Sequence, residues 1–314
     1  MAGKRGAGQI AELAAIAEPD VGVIVNVGPV HLELLGSLEA IAAAKAELIA
    51  GLRPGAGLVV PAAEPLLARH LRADLRTFTF GVGGDVFLER EGPAEVAIRI
   101  RPEGKRGGAP AAGEGELITL RPSFSQAYNL QNLLAATAAA RALGITPSGP
   151  LAVSFSALRG ERRTLPGGVV LIDDCYNANP MSMRAAIDEL ARSAGGRRVA
   201  VLGDMLELGA DERRFHREVG SHAAQRGVEL LVTVGPLAAE MGAAFTGPVH
   251  AVADARAAAE LLPALLREGD TVLVKGSRGV GLELVGQRLG AWQGRAAAAG
   301  EPRLSSLGGG ARRG

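Results

Sequence analysis

Three short stretches carry acids, amides and cations close enough together to do chemistry. Residues 172–183, IDDCYNANPMSM, place two carboxylates (Asp173, Asp174), a phenol (Tyr176) and two amides (Asn177, Asn179) just after the apolar run Val169–Ile172. Residues 203–209, GDMLELG, follow the apolar run VAVL. Residues 274–283, VKGSRGVGLE, put Lys275, Ser277 and Arg278 at the end of a third run. Polar groups at the C-terminal ends of apolar strands, just before helices, are where open α/β sheets contact their ligands. Lys275 and Arg278 offer cations to a carboxylate or phosphate, and Gly276 lets a ligand approach the backbone. Each stretch alone has a plainer reading, because turns favour Gly, Asp and Ser and Asn179-Pro180 is a good helix start. Three such ends in one sheet point to a ligand cleft.

Further candidates lie earlier in the chain. Asn26-Val27-Gly28-Pro29-Val30-His31 follows a buried-looking strand, and a histidine there can ligate a metal or orient a phosphate. Lys45 stands among Ala42, Ala43, Ala44 and Ala46, small neighbours that leave room for a modified or ligand-facing lysine; the plainer reading is a solvated helix charge. Asn129 and Asn132, in YNLQN, are spaced to share a helix face and could read a base edge, or simply cap the helix.

These residues need a scaffold. The 314 residues are 47% apolar and 21% charged, enough to bury a core, while aromatics at 3% make that core aliphatic. A formal net charge of +1 provides no field for nucleic acid or an anionic membrane, and no apolar stretch reaches membrane-spanning length. Cys175, the sole cysteine, makes no internal disulfide, which fits a reducing cytoplasm.

Strand-like VGVIVNV (21–27), GLVVPA and LRTFTFG alternate with helix-like 8–17, 37–52 and EPLLARHL, the pattern of a parallel sheet wrapped by helices; GPVHLELLGS reads as a loop. DVFLER, EVAIRI and GELITLR form a small antiparallel excursion around a Gly/Pro-rich stretch at 102–115, before a helix at 125–144. A second alternation follows. GVVLIDD, RRVAVLGD, VELLVTVG, GPVHAV and DTVLVKG read as strands, and 181–193, 211–226, 237–245, 253–267 and 279–291 as helices, a small doubly wound unit. The expected division is a first domain at 1–150, a second at 151–291 and a disordered Ala/Gly/Arg/Ser tail at 292–314.

The order of NVGPVHLELLGSLEAIAAAKAELI, YNLQNLLAA, GERR, DDCYNANPMSMRAAIDEL, VLGDMLELG and VKGSRGVGLE resembles the Mur ligases of peptidoglycan synthesis over about residues 1–290. DCYNANPMSM with GDMLELG resembles the branch that joins D-Ala-D-Ala to UDP-N-acetylmuramoyl-tripeptide. The resemblance implies an α/β protein with a truncated central ATP-binding domain, its mostly parallel sheet carrying the antiparallel excursion, followed by a Rossmann-like C-terminal domain. It implies ATP and Mg2+, activation of a peptide carboxylate as an acyl phosphate, and attack by the D-Ala-D-Ala amine.

Carried over by motif, His31 is at or beside the magnesium site. Lys45 matches the lysine that becomes carbamylated and offers oxygens to magnesium. Asn129 and Asn132 match the adenine-contacting element, with Tyr128 in place of its histidine. Arg162 matches the arginine that reaches the nucleotide phosphates, and Asp174 the ribose-holding aspartate. Tyr176 and Asn177 are expected near the nucleotide, and Asn179, Ser277 and Arg278 near the incoming dipeptide. Lys275 joins Lys45 and His31 as a catalytic candidate.

One departure stands out: no G-x-x-x-x-G-K-[ST] occurs in the 314 residues, and that loop grips the β- and γ-phosphates. The expectation is therefore a ligase polypeptide without its phosphate loop and UDP-sugar domain, inactive alone, a monomer or one that needs the missing N-terminal segment, with an open parallel sheet edge. Other readings are a different amide ligase of the superfamily, such as a folylpolyglutamate or diaminopimelate-adding relative, and a non-catalytic nucleotide-binding scaffold.

Overall fold

The computed structural model describes residues 6–29, 32–92, 94–102, 115–154 and 158–292. His31, most of the Gly/Pro-rich stretch and all but Trp292 of the tail lie outside them. Two sheets carry the architecture.

The first sheet is built from α1 (Gln9–Ala17), β1 (Val21–Val23), α2 (Leu32–Leu35), α3 (Leu38–Gly51), β2 (Gly57–Pro61), α4 (Pro65–Ala68), β3 (Arg76–Phe80), β4 (Val86–Glu91), β5 (Val96–Ile100), β6 (Glu116–Pro122), α5 (Ala127–Ala142) and β7 (Gly149–Leu151). Its strands lie in sequence order, β1 to β7. Pairing is parallel from β1 to β4, antiparallel through β4-β5-β6, and parallel again between β6 and β7, so the expected excursion is present. The inward residues of β2 alternate between two cores. Leu58 and Val60 meet Ala42, Ala46 and Ile49 of α3 on one face, while Val59 meets Leu130, Leu134 and Ala138 of α5 on the other. Each fully buried Leu or Ile contributes about 1.5–3 kcal/mol. Ser37 caps α3 by accepting the Ala40 N–H at 3.1 Å.

The second sheet comprises β8 (Glu161–Thr164), β9 (Val170–Asp173), α6 (Pro180–Ser193), β10 (Arg198–Gly203), α7 (Glu212–Gln225), β11 (Leu230–Val234), α8 (Ala239–Ala243), β12 (Val249–Val252), α9 (Ala255–Leu265), β13 (Thr271–Lys275) and α10 (Glu283–Gly290). The spatial order is β12-β11-β10-β13-β9-β8. Core residues from α6, α7 and α8 pack on one face and those from α9 and α10 on the other. Strand β13 therefore sits between β10 and β9, yet its following helix goes to the opposite face from theirs. That divergence opens crevices at the C-terminal ends of β9, β13 and β10, the switch point of a doubly wound sheet.

Some expectations need correction. The strand read over 21–27 stops at Val23: the Ile24 N–H makes the last bond to β2, at the Val59 carbonyl, and beyond it Asn26 turns its oxygens to Lys45. The stretch read as a loop after it contains α2, and the helix read at 237–245 shortens to α8. Strands β7 and β8 were invisible in the pattern: β7 is a three-residue edge, and β8, ERRT, is polar throughout and pairs antiparallel on one side only. Among the described residues, strand β1 pairs in parallel with β2 alone and forms the other edge of the first sheet. No helix among the described residues is long and apolar enough to cross a membrane.

Candidate functional site

Strand register brings the second sheet's chemistry together. Val274 of β13 pairs with Asp173 of β9, so the next residues, Lys275 and Asp174, emerge side by side at the switch point. Lys275, almost wholly buried, donates from Nζ to Asp174 Oδ2 at 2.8 Å and to the Asn177 carbonyl at 2.9 Å. Burial pushes the Asp174 carboxyl above its ordinary range, and the Lys275 ammonium and the Arg159 guanidinium act against that push. A buried pair of this kind is held by geometry and by its extra backbone acceptor.

Ser277 ties the neighbouring ends together. Its Oγ accepts the Leu206 N–H at 2.9 Å, and its own N–H donates to the Asp204 carbonyl at 3.0 Å. The loops after β9, β10 and β13 are thus one hydrogen-bonded unit. Asp204 is itself buried and accepts the Ala238 N–H at 2.6 Å.

Residues of the 174–179 loop divide by what they touch. Tyr176 is exposed, with Arg159 stacked over its ring at 4.0 Å from the centroid. Asn177 Oδ1 accepts the Ala178 N–H at 2.8 Å. Asn179 is the N-cap of α6: its Oδ1 accepts the Ser182 N–H at 2.8 Å while Ser182 Oγ accepts the Asn179 N–H at 3.0 Å. Arg278 is exposed at the rim, 3.9 Å from Glu283. Cys175 is buried and donates to Asp173 Oδ1 at 3.0 Å.

Arg162 is not part of this cluster. It reaches along α6, donating to Ser193 Oγ at 2.8 Å and to Glu189 Oε1 at 3.4 Å. Asn129 and Asn132 also part company. Asn129 is buried and donates to Gln126 Oε1 at 3.1 Å, whereas Asn132 is exposed.

On the first sheet, Lys45 of α3 donates to the Asn26 carbonyl at 2.6 Å and to Asn26 Oδ1 at 3.2 Å. Burial pulls its ammonium below the ordinary lysine range, with Glu64 opposing. His31 lies outside the described residues, and among those described no group of His, Cys, Asp and Glu is set to hold a metal.

The two sheets meet along a seam that joins these clusters. A Cβ on Gly28 would lie 2.7 Å from Met181 Cε on α6. The Glu33 N–H of α2 donates to the Glu207 carbonyl at 3.2 Å. A Cβ on Gly160, whose φ is +74°, would lie 2.7 Å from the Tyr128 hydroxyl at the head of α5. Burial, with the charges of Asp174 and Glu189, pushes that hydroxyl up to about 12. The loop after β1 and the start of α5 therefore face the C-terminal ends of β9 and β10. An open groove of about 560 Å³ on the outer side of α6 and α7 is a weaker candidate, since its Arg184, Arg214 and Arg217 are already paired with Glu218 and Glu240.

Sequence reasoning missed His216. It is fully buried on α7 and accepts the Met205 N–H at Nε2, 2.9 Å away. A lone histidine in a polar helical stretch gave no signal.

Comparison with known proteins matches both halves. A family model described as Mur ligase middle domain covers residues 2–140, and one described as Mur ligase, glutamate ligase domain covers residues 158–278. The UDP-N-acetylmuramoyl-tripeptide–D-alanyl-D-alanine ligase of Bacillus subtilis is 33% identical over 286 residues, covering 88% of this chain and 60% of that protein. The ligase of the same name from Mycobacterium tuberculosis H37Rv is 35% identical over 314 aligned positions, with 90% and 60% covered. Among solved structures, MurF ligase from Thermotoga maritima in complex with ADP superimposes with a TM-score of 0.76 at 28% identity, covering 91% of this chain and 65% of that one. The chain spans about three-fifths of the length of the curated relatives it matches.

Proposed function

Since the chain belongs to the Mur ligase family, we propose that it carries the middle and C-terminal parts of a ligase that joins D-Ala-D-Ala to UDP-N-acetylmuramoyl-tripeptide in peptidoglycan synthesis. The observation that carries this reading is the buried Lys275–Asp174 pair at the switch point, with Gly28, two residues after the Asn26 that holds Lys45, against Met181 at the start of α6. ATP would activate the tripeptide carboxylate as an acyl phosphate, and the dipeptide amine would attack its carbonyl carbon, with phosphate as the leaving group.

The chain's own residues suit that chemistry. Asp174 offers a carboxylate to ribose hydroxyls, and Lys275 keeps it charged and oriented. Tyr176, Asn177, Asn129 and Asn132 lie toward the nucleotide in this reading, and Arg162 reaches the phosphates after leaving Glu189. Asn179, Ser277 and Arg278 line the dipeptide end. Lys45 fits a carbamylated lysine, because burial favours the neutral amine that captures CO2, and the resulting oxygens suit Mg2+ with His31 beside them. The 314 residues contain no G-x-x-x-x-G-K-[ST], so the grip on the β- and γ-phosphates is assigned to none of them. Nucleotide chemistry of this kind belongs in the cytoplasm, and a monomer suffices for it.

Calorimetric titration of the chain with ADP, with ATP plus Mg2+, and with D-Ala-D-Ala tests the reading. Nucleotide binding that Asp174→Asn weakens about tenfold or more is expected, since a charge-assisted hydrogen bond is worth about 1.5–3 kcal/mol. Absence of binding to any of the three ligands, with UDP-N-acetylmuramoyl-tripeptide present, would sink it. Nucleotide binding without dipeptide binding would select a nucleotide-binding scaffold instead.

A further inference from the structure

The loop Asp204–Gly209 is held at three successive amides. The Asp204 N–H donates to the Val234 carbonyl at 3.2 Å, the Met205 N–H to His216 Nε2 at 2.9 Å, and the Leu206 N–H to Ser277 Oγ at 2.9 Å. Met205 and Leu208 are buried in the core under α6 and α7. The next residue after the three pinned amides, Glu207, has φ +63°, a left-handed conformation that costs a non-glycine residue about 1–3 kcal/mol. In that conformation its carbonyl receives the Glu33 N–H of α2, from the other sheet. Gly209, with φ +68°, brings the loop within contact of the same residue: a Cβ there would lie 3.4 Å from Glu33 Cα.

The tautomer of His216 follows from its partners. The Met205 N–H can only donate, so Nε2 must carry the lone pair. The Glu212 carbonyl, 2.7 Å from Nδ1, can only accept, so Nδ1 must carry the proton. A protonated ring would set one N–H against another at Met205. The charged groups facing the ring are Asp204 from the loop after β10, Glu212 from its own helix and Glu240 from α8.

We propose that His216 is a positioning residue: as a neutral, tautomer-locked acceptor it holds the Asp204–Gly209 loop in the strained shape that lets the Glu207 carbonyl grip Glu33, and so latches the two sheets together. The latch rests on the seam geometry alone and does not depend on the ligase reading. Removing the pin at Met205 lets Glu207 relax out of its left-handed conformation and release α2. Glutamine is the conservative replacement, because its Oε1 accepts where Nε2 does; asparagine keeps only a donor toward Glu212.

Amide hydrogen exchange on the full chain, with no substrate present, tests this. In His216→Leu the Met205 and Glu33 amides should exchange about tenfold faster while Val232 of β11 holds its rate, and His216→Gln should restore Glu33. Faster exchange at Met205 with Glu33 unchanged overturns the latch. A uniform rise that includes Val232 overturns it too, reducing His216 to a core residue. Should His216→Leu fail to fold, acidification of the wild type serves. After correction for intrinsic rates, Met205 and Glu33 should lose protection together as the ring takes up a proton, and His216→Gln should not follow. Identical profiles for the two proteins overturn the proposal.

Discussion

Lys275 Nζ lies 2.8 Å from Asp174 Oδ2, on adjacent parallel strand ends and largely out of water. Neither charge can be removed alone without leaving the other buried. Lys275→Met is expected to destabilise the chain by about 3–5 kcal/mol, and the double variant Lys275→Met/Asp174→Leu to recover much of that loss. Chemical denaturation of the two variants and the wild type measures it. Equal stability of Lys275→Met and wild type would mean that the pair is open to water.

Asn179 has a capping duty that is separable from any ligand contact. Asn179→Ala should cost about 1 kcal/mol, and Asn179→Ser, which keeps an acceptor for the Ser182 N–H, much less. If D-Ala-D-Ala affinity falls in both variants while stability falls only in the first, the side chain also meets the dipeptide. Thermal melts and calorimetry on the same samples separate the two effects.

Stability should fall in mild acid through His216. Burial lowers its proton affinity below the ordinary histidine value of 6.5. The unfolded chain then binds a proton that the folded chain refuses, so unfolding is favoured as pH drops below that value, down to the depressed one. Above it the histidine adds no pH dependence. Urea midpoints of wild type and His216→Gln, compared across this window, should converge as pH falls. Parallel curves would show that the ring titrates alike folded and unfolded.

The parallel parts of both sheets and the polar ends of β9, β10 and β13 were legible because buried strands read as unbroken apolar runs and their turns as clusters of Gly, Asp and Asn. What was hidden depends on distance in space. Nothing in the sequence near Arg162 says that Glu189 and Ser193, a helix away, will hold it. The spacing of Asn129 and Asn132 suggests a common face, yet at a helix start Gln126 draws the first inward while the second stays in water. Asn179 was the reverse case: the helix-start reading of Asn-Pro was available from the residues, and the capping box with Ser182 realises it. Strand β8 and His216 escaped because a polar edge strand and a single buried imidazole leave no periodic trace.

The contact between Gly28 and Met181 behaves unlike the hydrogen bond at Glu33. A bare Cα meets a thioether methyl there, and neither has a preferred direction. Methionine turns about three bonds at little cost, so this point can slide while its apolar contact persists. The hydrogen bond at Glu33 must instead be either made or broken. Opening motion of the halves should therefore be a swing that glides over the methionine and snaps at the carbonyl, and a branched side chain at position 181 would turn the bearing into a brake.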